Sequence, residues 1–183
     1  MTKMKVGIDS YCFHRYFGEV YDHQTAPEKN MTMEDFLAYA KELDVDGVSL
    51  ESCFFPSFEE AWFKDLKAQL DEYGFDRVYA WGHPDGLEAG KNRGEFNSMV
   101  SQIKNAKLIG ADVMRVGASS LMFRFEPHGP QIDILAEWFK EAVEVAEEYD
   151  VKLAVENHID YTSDECLELL ERVDSPYLGL NLD

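Results

Sequence analysis

Six short apolar segments alternate with amphipathic helical segments along the chain, and this alternation limits the possible folds more than any other feature. The intervening stretches carry apolar residues at helical spacing, as at Leu135, Phe139, Ala142 and Ala146. Strands that alternate with helices predict a parallel sheet with helices packed against it. The sequence therefore predicts an α/β fold. The apolar segments cover residues 5–9, 47–51, 77–83, 112–117, 152–158 and 177–183.

The two faces of the predicted strands differ sharply in polarity. One face is bulky and apolar, with Val6, Ile8, Val48, Leu50, Val78, Ala80, Met114, Val116, Leu153, Val155, Leu178, Leu180 and Leu182. The other face carries Asp9, Glu51, Tyr79, Trp81, His83, Arg115, Glu156, Asn181 and Asp183. A doubly wound sheet is covered by helices on both faces, so both should be apolar. A polar face fits better inside a (β/α)8 TIM barrel, whose site lies at the carboxyl ends of the strands.

The element count falls short of a closed barrel. We count six strands and five helices in the sequence, whereas a closed (β/α)8 barrel has eight of each. We therefore expect residues 1–183 to form a single domain that corresponds to the N-terminal three quarters of such a barrel. We also expect the sixth strand to leave an exposed sheet edge.

Composition excludes several classes of function. The chain has 36 acidic and 17 basic residues, a net charge of -19, which disfavours nucleic-acid and anionic membrane partners. No apolar run is long enough to span a bilayer, and the N-terminus lacks the pattern of a signal peptide. Cys12, Cys53 and Cys166 are too widely spaced for a CxxC metal or redox motif. We expect a protein of the reducing cytoplasm.

Several polar side chains fall near the ends of the predicted strands. Glu156 and Asp183 end adjacent strands on the polar face. One interpretation is that they bind a hard divalent cation such as Mn²⁺ or Mg²⁺. The other is that they make ordinary N-cap and surface contacts. His158 suits general acid/base catalysis or substrate positioning, and otherwise is a loop histidine bonded to a carboxylate. His83 has the same two interpretations. Asn157 orients a ligand or caps its loop.

Arg115 lies in the middle of a strand on the same polar face. A buried guanidinium requires a partner, and Asp9, Glu51 and Glu156 are the candidates. An ion pair inside the barrel is one interpretation. Substrate binding by Arg115 and Glu51 is the other.

The C-terminal segment resembles a known family. Glu156-Asn157-His158, Asn181-Leu182-Asp183 and the helix between them are similar to the sugar phosphate isomerase/epimerase family of xylose isomerase-like TIM barrels. The resemblance extends over the whole chain. Segments 10–21, 46–57, 81–90 and 118–132 look like loops of one subgroup, close to the metal-bearing subunits of C-glycoside deglycosidases.

The resemblance implies a sugar or sugar phosphate isomerase or epimerase, which moves a proton beside a metal-polarised carbonyl. It implies one divalent metal, often Mn²⁺ but also Mg²⁺, Co²⁺ or Zn²⁺, with Glu156 and Asp183 as two of four ligands. The other two ligands, a His and a Glu of later strands, have no counterpart in residues 1–183. The alternatives are a C-glycoside lyase subunit with a small β-rich partner, a non-catalytic barrel piece and, less favoured by the charge, an AP endonuclease-like enzyme. We expect an oligomer that acts on a small sugar or glycoside.

Overall fold

A computed structural model describes residues 4–183 and shows parallel strands alternating with helices. Short 3-10 helices at Ser10–Phe17 and Ser52–Phe54 follow the first two strands. The strands are β1 (Gly7–Asp9), β2 (Gly47–Glu51), β3 (Asp76–Ala80), β4 (Val113–Val116), β5 (Lys152–Glu156) and β6 (Leu178–Asn181). The helices are α1 (Met33–Glu42), α2 (Glu60–Tyr73), α3 (Arg93–Leu108), α4 (His128–Tyr149) and α5 (Ser163–Val173).

The six strands form one parallel sheet in sequence order, β1 to β6. Each strand pairs with the next one along the chain, as in the wall of a TIM barrel. β1 and β6 are the two edges of this sheet. The predicted fold class, an incomplete (β/α)8 barrel of six strands and five helices, is confirmed.

The outer face of the sheet packs against the helices and forms the core. Leu50, Met114 and Leu153 are fully buried in one apolar cluster with the inner sides of all five helices, including Phe63 and Phe139. This face makes the sheet rigid behind its polar side. No helix in the described part of the chain is long and apolar enough to cross a membrane.

The third strand faces the opposite way from the sequence prediction. The register aligns Tyr79 with Leu50 and Met114, so Tyr79 points to the helices, where its hydroxyl donates to Gln102 of α3 at 2.6 Å. Ala80 takes the place on the polar face. The assignment of Tyr79 to that face was wrong, because an alternation of aromatic and small apolar residues does not show which side is buried. Trp81 and His83 lie beyond the end of β3.

The start of α5 is fixed by its own cap and by α4. Thr162 and Glu165 form a capping box, in which each residue's side chain accepts from the other's backbone N–H. The same Glu165 carboxylate contacts Nδ1 of His128 at 2.7 Å, which ties the first turn of α4 to α5. Burial alone would lower the pKa of His128, but the bonds to Glu165 and to the Arg124 carbonyl outweigh it and raise the pKa. Burial would likewise raise the pKa of Glu165, but bonds from Thr162 and His128 lower it.

This pair predicts a pH-dependent contribution to stability. The raised pKa of His128 gives stability that is full below its ordinary pKa of about 6.5 and is lost as pH rises through the folded-state value. The lowered pKa of Glu165 gives stability that is lost as pH falls below about 4.3. His128→Asn should therefore reduce the free energy of unfolding by about 0.5–1 kcal/mol near pH 5.5, and by less above pH 8.

Urea unfolding across pH 4–9 measures this difference. The control is His23→Asn, which changes an exposed histidine in the loop after β1. A deficit of His128→Asn that stays constant from pH 5 to pH 9 would show that the ion pair contributes nothing.

Candidate functional site

Arg115 joins two carboxylates from two other strands on the polar face of the sheet. Its Nη1 donates to Oε2 of Glu156 at 2.6 Å, and its Nη2 forms an ion pair with Oε1 of Glu51. Glu51 is only 2% exposed, and the side chains of Arg115 and Glu156 are each 18% exposed. Two of the three partners that the sequence suggested are thus confirmed. The third, Asp9, instead accepts from the backbone N–H of Tyr11 at 2.7 Å.

Small neighbours make room for this bridge. The register places Ala80 and Ala154 directly beside Arg115, and Glu51 lies beside Ala80. The guanidinium can therefore extend over two neighbouring strands without meeting a larger side chain. The backbone N–H of Glu51 donates to the hydroxyl of buried Ser10, just after β1, at 2.9 Å. Polar groups from β2, β4 and β5, together with Ser10 just after β1, thus form one cluster.

Gly82, just beyond β3, closes the cluster on the side of Glu51. A Cβ at this position would lie 2.8 Å from Oε2 of Glu51 and 2.7 Å from Sγ of Cys53, closer than real Cβ contacts. The N–H of Gly82 donates to the Ser52 hydroxyl at 3.1 Å. Only glycine lets the chain approach the buried carboxylate this closely. Sequence analysis missed this role, because the contact depends on the pairing of β2 and β3.

The ends of β5 and β6 are joined through Asn157. Its N–H donates to the Asn181 carbonyl at 3.1 Å, and its side-chain Oδ1 accepts from the N–H of Asp183 at 2.9 Å. Glu156 lies beside Asn181 in the register. Asn157 therefore holds the backbone of Asp183 next to the end of β5. Its predicted role in substrate binding stays a prediction.

The two candidate histidines lie in different places. His158 follows Glu156 and Asn157 beyond β5 and is exposed, so it is accessible at the mouth of the site. His83 stacks on Trp81, with ring centroids 5.4 Å apart, and its Nε2 lies 3.7 Å from Glu95 of α3. These contacts direct His83 toward the helix layer rather than toward the Arg115 cluster.

Asp160 is a buried carboxyl that the sequence did not reveal. It is 3% exposed, its Oδ1 accepts from the N–H of Tyr161, and its Oδ2 has no hydrogen-bond partner among the described residues. Burial raises the pKa of this carboxyl, and the nearby charge of Glu156 acts in the same direction. The N–H groups of Tyr161 and Asp160 lower the pKa in part, so the net shift is upward but smaller than burial alone would give. One Asp among many in a loop sequence carries no signal of such burial.

The side chains at the ends of β5 and β6 are of a type that binds divalent cations, but they are too few to hold one firmly. Glu156 and Asp183 offer carboxylate oxygens, the ligands that Mn²⁺ and Mg²⁺ prefer. Between Met4 and Asp183, no group of three or more His, Cys, Asp or Glu side chains is placed to hold a metal ion. A firmly bound ion therefore requires further ligands from beyond this set.

A cavity of about 340 Å³ lies at the opposite end of the sheet from this cluster. It is lined by the whole of β1 and by the amino-terminal parts of β2 and β3, including Gly7, Gly47 and Val78. Arg115 and Glu156 do not line it. We place the candidate site at the carboxyl ends of the strands, because the ionisable groups lie there and barrel sites are built there.

Comparison with known proteins gives the family of the chain and structures of similar fold. A family model described as "Xylose isomerase-like TIM barrel" matches residues 37–183. A search of the curated proteins found no match to the sequence.

Solved structures of similar fold include D-psicose 3-epimerase from Clostridium cellulolyticum H10 with D-tagatose, at 15% identity and a TM-score of 0.76. The alignment covers 98% of this chain and 63% of that one. They also include the 3-keto-D-glucoside 4-epimerase YcjR from E. coli, at 16% identity and a TM-score of 0.67, with 99% and 68% covered. A third is the IolI protein with a bound zinc atom, at 15% identity and a TM-score of 0.69, with 97% and 62% covered. The chain thus spans less than two thirds of the length of the D-psicose 3-epimerase.

The close approach at Gly82 gives a direct test of the cluster. Gly82→Ala should lower the free energy of unfolding by about 1–3 kcal/mol, because the added methyl group must displace the Glu51 carboxylate or the Cys53 thiol. Gly179→Ala is the matched control, since a Cβ at this strand glycine meets no atom within 4 Å. Urea denaturation of both variants measures the effect. Equal stability of the two variants would contradict the packing described for Gly82.

Proposed function

The chain belongs to the xylose isomerase-like TIM barrel family, and from this membership we propose that it is part of a metal-dependent sugar isomerase or epimerase. We propose further that residues 1–183 form about three quarters of one barrel domain. The coverage of 63% of a D-psicose 3-epimerase supports this arrangement.

One observation carries the proposal. Glu156, at the end of β5, keeps one carboxylate oxygen in contact with Arg115, while no described residue hydrogen-bonds to the other. Asp183 is held next to that strand end by Asn157. A carboxylate that is anchored at one oxygen and open at the other is suited to ligate a cation or to accept a proton. This is the position where barrel enzymes place their reactive groups.

The residues present can divide the chemistry between them. Glu156 and Asp183 would hold the divalent ion, which when bound polarises the carbonyl oxygen of a sugar. His158, exposed at the mouth, can accept or donate the proton on the carbon next to that carbonyl, because an imidazole has one nitrogen that accepts and one that donates a proton. Asn157 fixes the spacing of the two strand ends. Arg115 orients the Glu156 carboxylate through the hydrogen bond from Nη1 to Oε2.

The substrate, partners and location remain part of the proposal. A small sugar or glycoside fits the barrel mouth, and the net charge of -19 supports a substrate other than nucleic acid. The exposed edges of β1 and β6 support association with further strands or with another subunit. Cys12, Cys53 and Cys166 are all unpaired, which supports a reducing, cytoplasmic location.

Glu156→Gln tests the assignment of the site. Gln keeps the size and one acceptor oxygen but removes the charge, so turnover should fall by about 10²–10⁴-fold and bound Mn²⁺ should be lost. His158→Asn should reduce turnover with little change in metal content. Glu148→Gln, on the exposed side of α4, is the control and should behave as wild type.

The measurements are metal stoichiometry by elemental analysis and turnover of a panel of phosphorylated and unphosphorylated ketoses with added Mn²⁺. Wild-type turnover by Glu156→Gln would remove Glu156 from the site. Loss of metal in His158→Asn would make His158 a ligand and overturn the division of roles.

A further inference from the structure

Glu51 lies too deep in the protein to be an ordinary substrate contact. It is 2% exposed, its Oε2 faces Gly82, and its Oε1 is paired with Arg115. A carboxylate buried in this way is costly unless a positive charge compensates it. Arg115 provides that charge, so the position of the guanidinium is fixed from the Glu51 side.

Arg115 then transmits this constraint to Glu156. The guanidinium has a rigid, planar set of donors, so a group that is anchored at Nη2 cannot move its Nη1 freely. Nη1 contacts only Oε2 of Glu156, at 2.6 Å. Without Glu51, the guanidinium could rotate so that two of its N–H groups donate to both oxygens of Glu156. Arginine commonly forms such a bidentate pair with a single carboxylate.

We propose that Glu51 is a positioning residue that acts on Glu156 through Arg115. Because Glu51 binds Nη2, Arg115 can donate only to Oε2 of Glu156. The Oε1 atom of Glu156 is then available to a ligand. The part of this inference that concerns a bound cation rests on the proposed function. The part that concerns the coupling of Glu51 to Glu156 does not, and it can be measured without metal.

The first experiment is a double-mutant cycle of Glu51→Gln and Glu156→Gln on the metal-free protein. The shift in the urea midpoint of the double variant should differ clearly from the sum of the two single shifts, because both residues act on one guanidinium. In the Arg115→Met background the two shifts should become additive. Additive shifts in the presence of Arg115, or equal coupling without it, would overturn the proposal.

The second experiment measures Mn²⁺ affinity by titration calorimetry. Glu51→Gln should weaken Mn²⁺ binding by about tenfold although Glu51 does not touch the ion, since outer residues of metal sites have effects of about 10–100-fold. Adding Arg115→Met to Glu51→Gln should recover part of the affinity, because no guanidinium is left to cover Glu156. A merely structural role would give no such recovery. Unchanged binding in Glu51→Gln, or a double variant as weak as Glu51→Gln, would contradict the proposal.

A matched control is available on the surface. Arg172 also bridges two carboxylates, Asp133 at 2.5 Å and Glu168 at 3.1 Å, but it is 40% exposed and lies on α5. Arg172→Met should leave Mn²⁺ affinity unchanged. If wild-type protein binds no Mn²⁺ at millimolar concentration, the assignment of Glu156 and Asp183 as metal ligands fails, while the metal-free cycle still decides whether Glu51 acts on Glu156.

Discussion

The ion bridge from Glu51 through Arg115 to Glu156 is the interaction on which the polar face of this sheet depends. It connects β2, β4 and β5 across an interior that contains few other charges, and each of the three groups is largely removed from water. Such groups are stable only together, because removal of one leaves an uncompensated charge. Lysine would not be an equivalent replacement for Arg115, since a compact ammonium lacks the extended planar donor set with which the guanidinium reaches two separate carboxylates.

The apolar core supports this bridge by fixing the register of the strands. The apolar outer face, with Leu50, Met114 and Leu153, fixes the strand register against the helices. That register places Ala80 and Ala154 beside Arg115 and so keeps space for the guanidinium. A packed core therefore determines the geometry of a polar site that it does not contact.

Much of this could be predicted from the sequence, because strand residues alternate strictly between two faces. The pattern predicted the strands and helices and the barrel class, and it placed Glu51 and Glu156 among three candidate partners of Arg115. It failed for β3, where Tyr79 packs outward and bonds to Gln102, since an aromatic hydroxyl is satisfied on either face. The close approach of Gly82 and the burial of Asp160 could not be predicted, because both arise from contacts between segments distant in sequence.

Arg115 anchors Glu156 through Oε2, and we propose that Glu156 ligates a cation through Oε1. A crystal structure of the protein grown with Mn²⁺, with anomalous difference data, tests this most directly. We expect an anomalous peak within bonding distance of Oε1 of Glu156 and of the Asp183 carboxylate, with Arg115 still bonded to Oε2 and to Glu51. A peak elsewhere, or an Arg115 that has left Glu156 when the ion binds, would contradict the account.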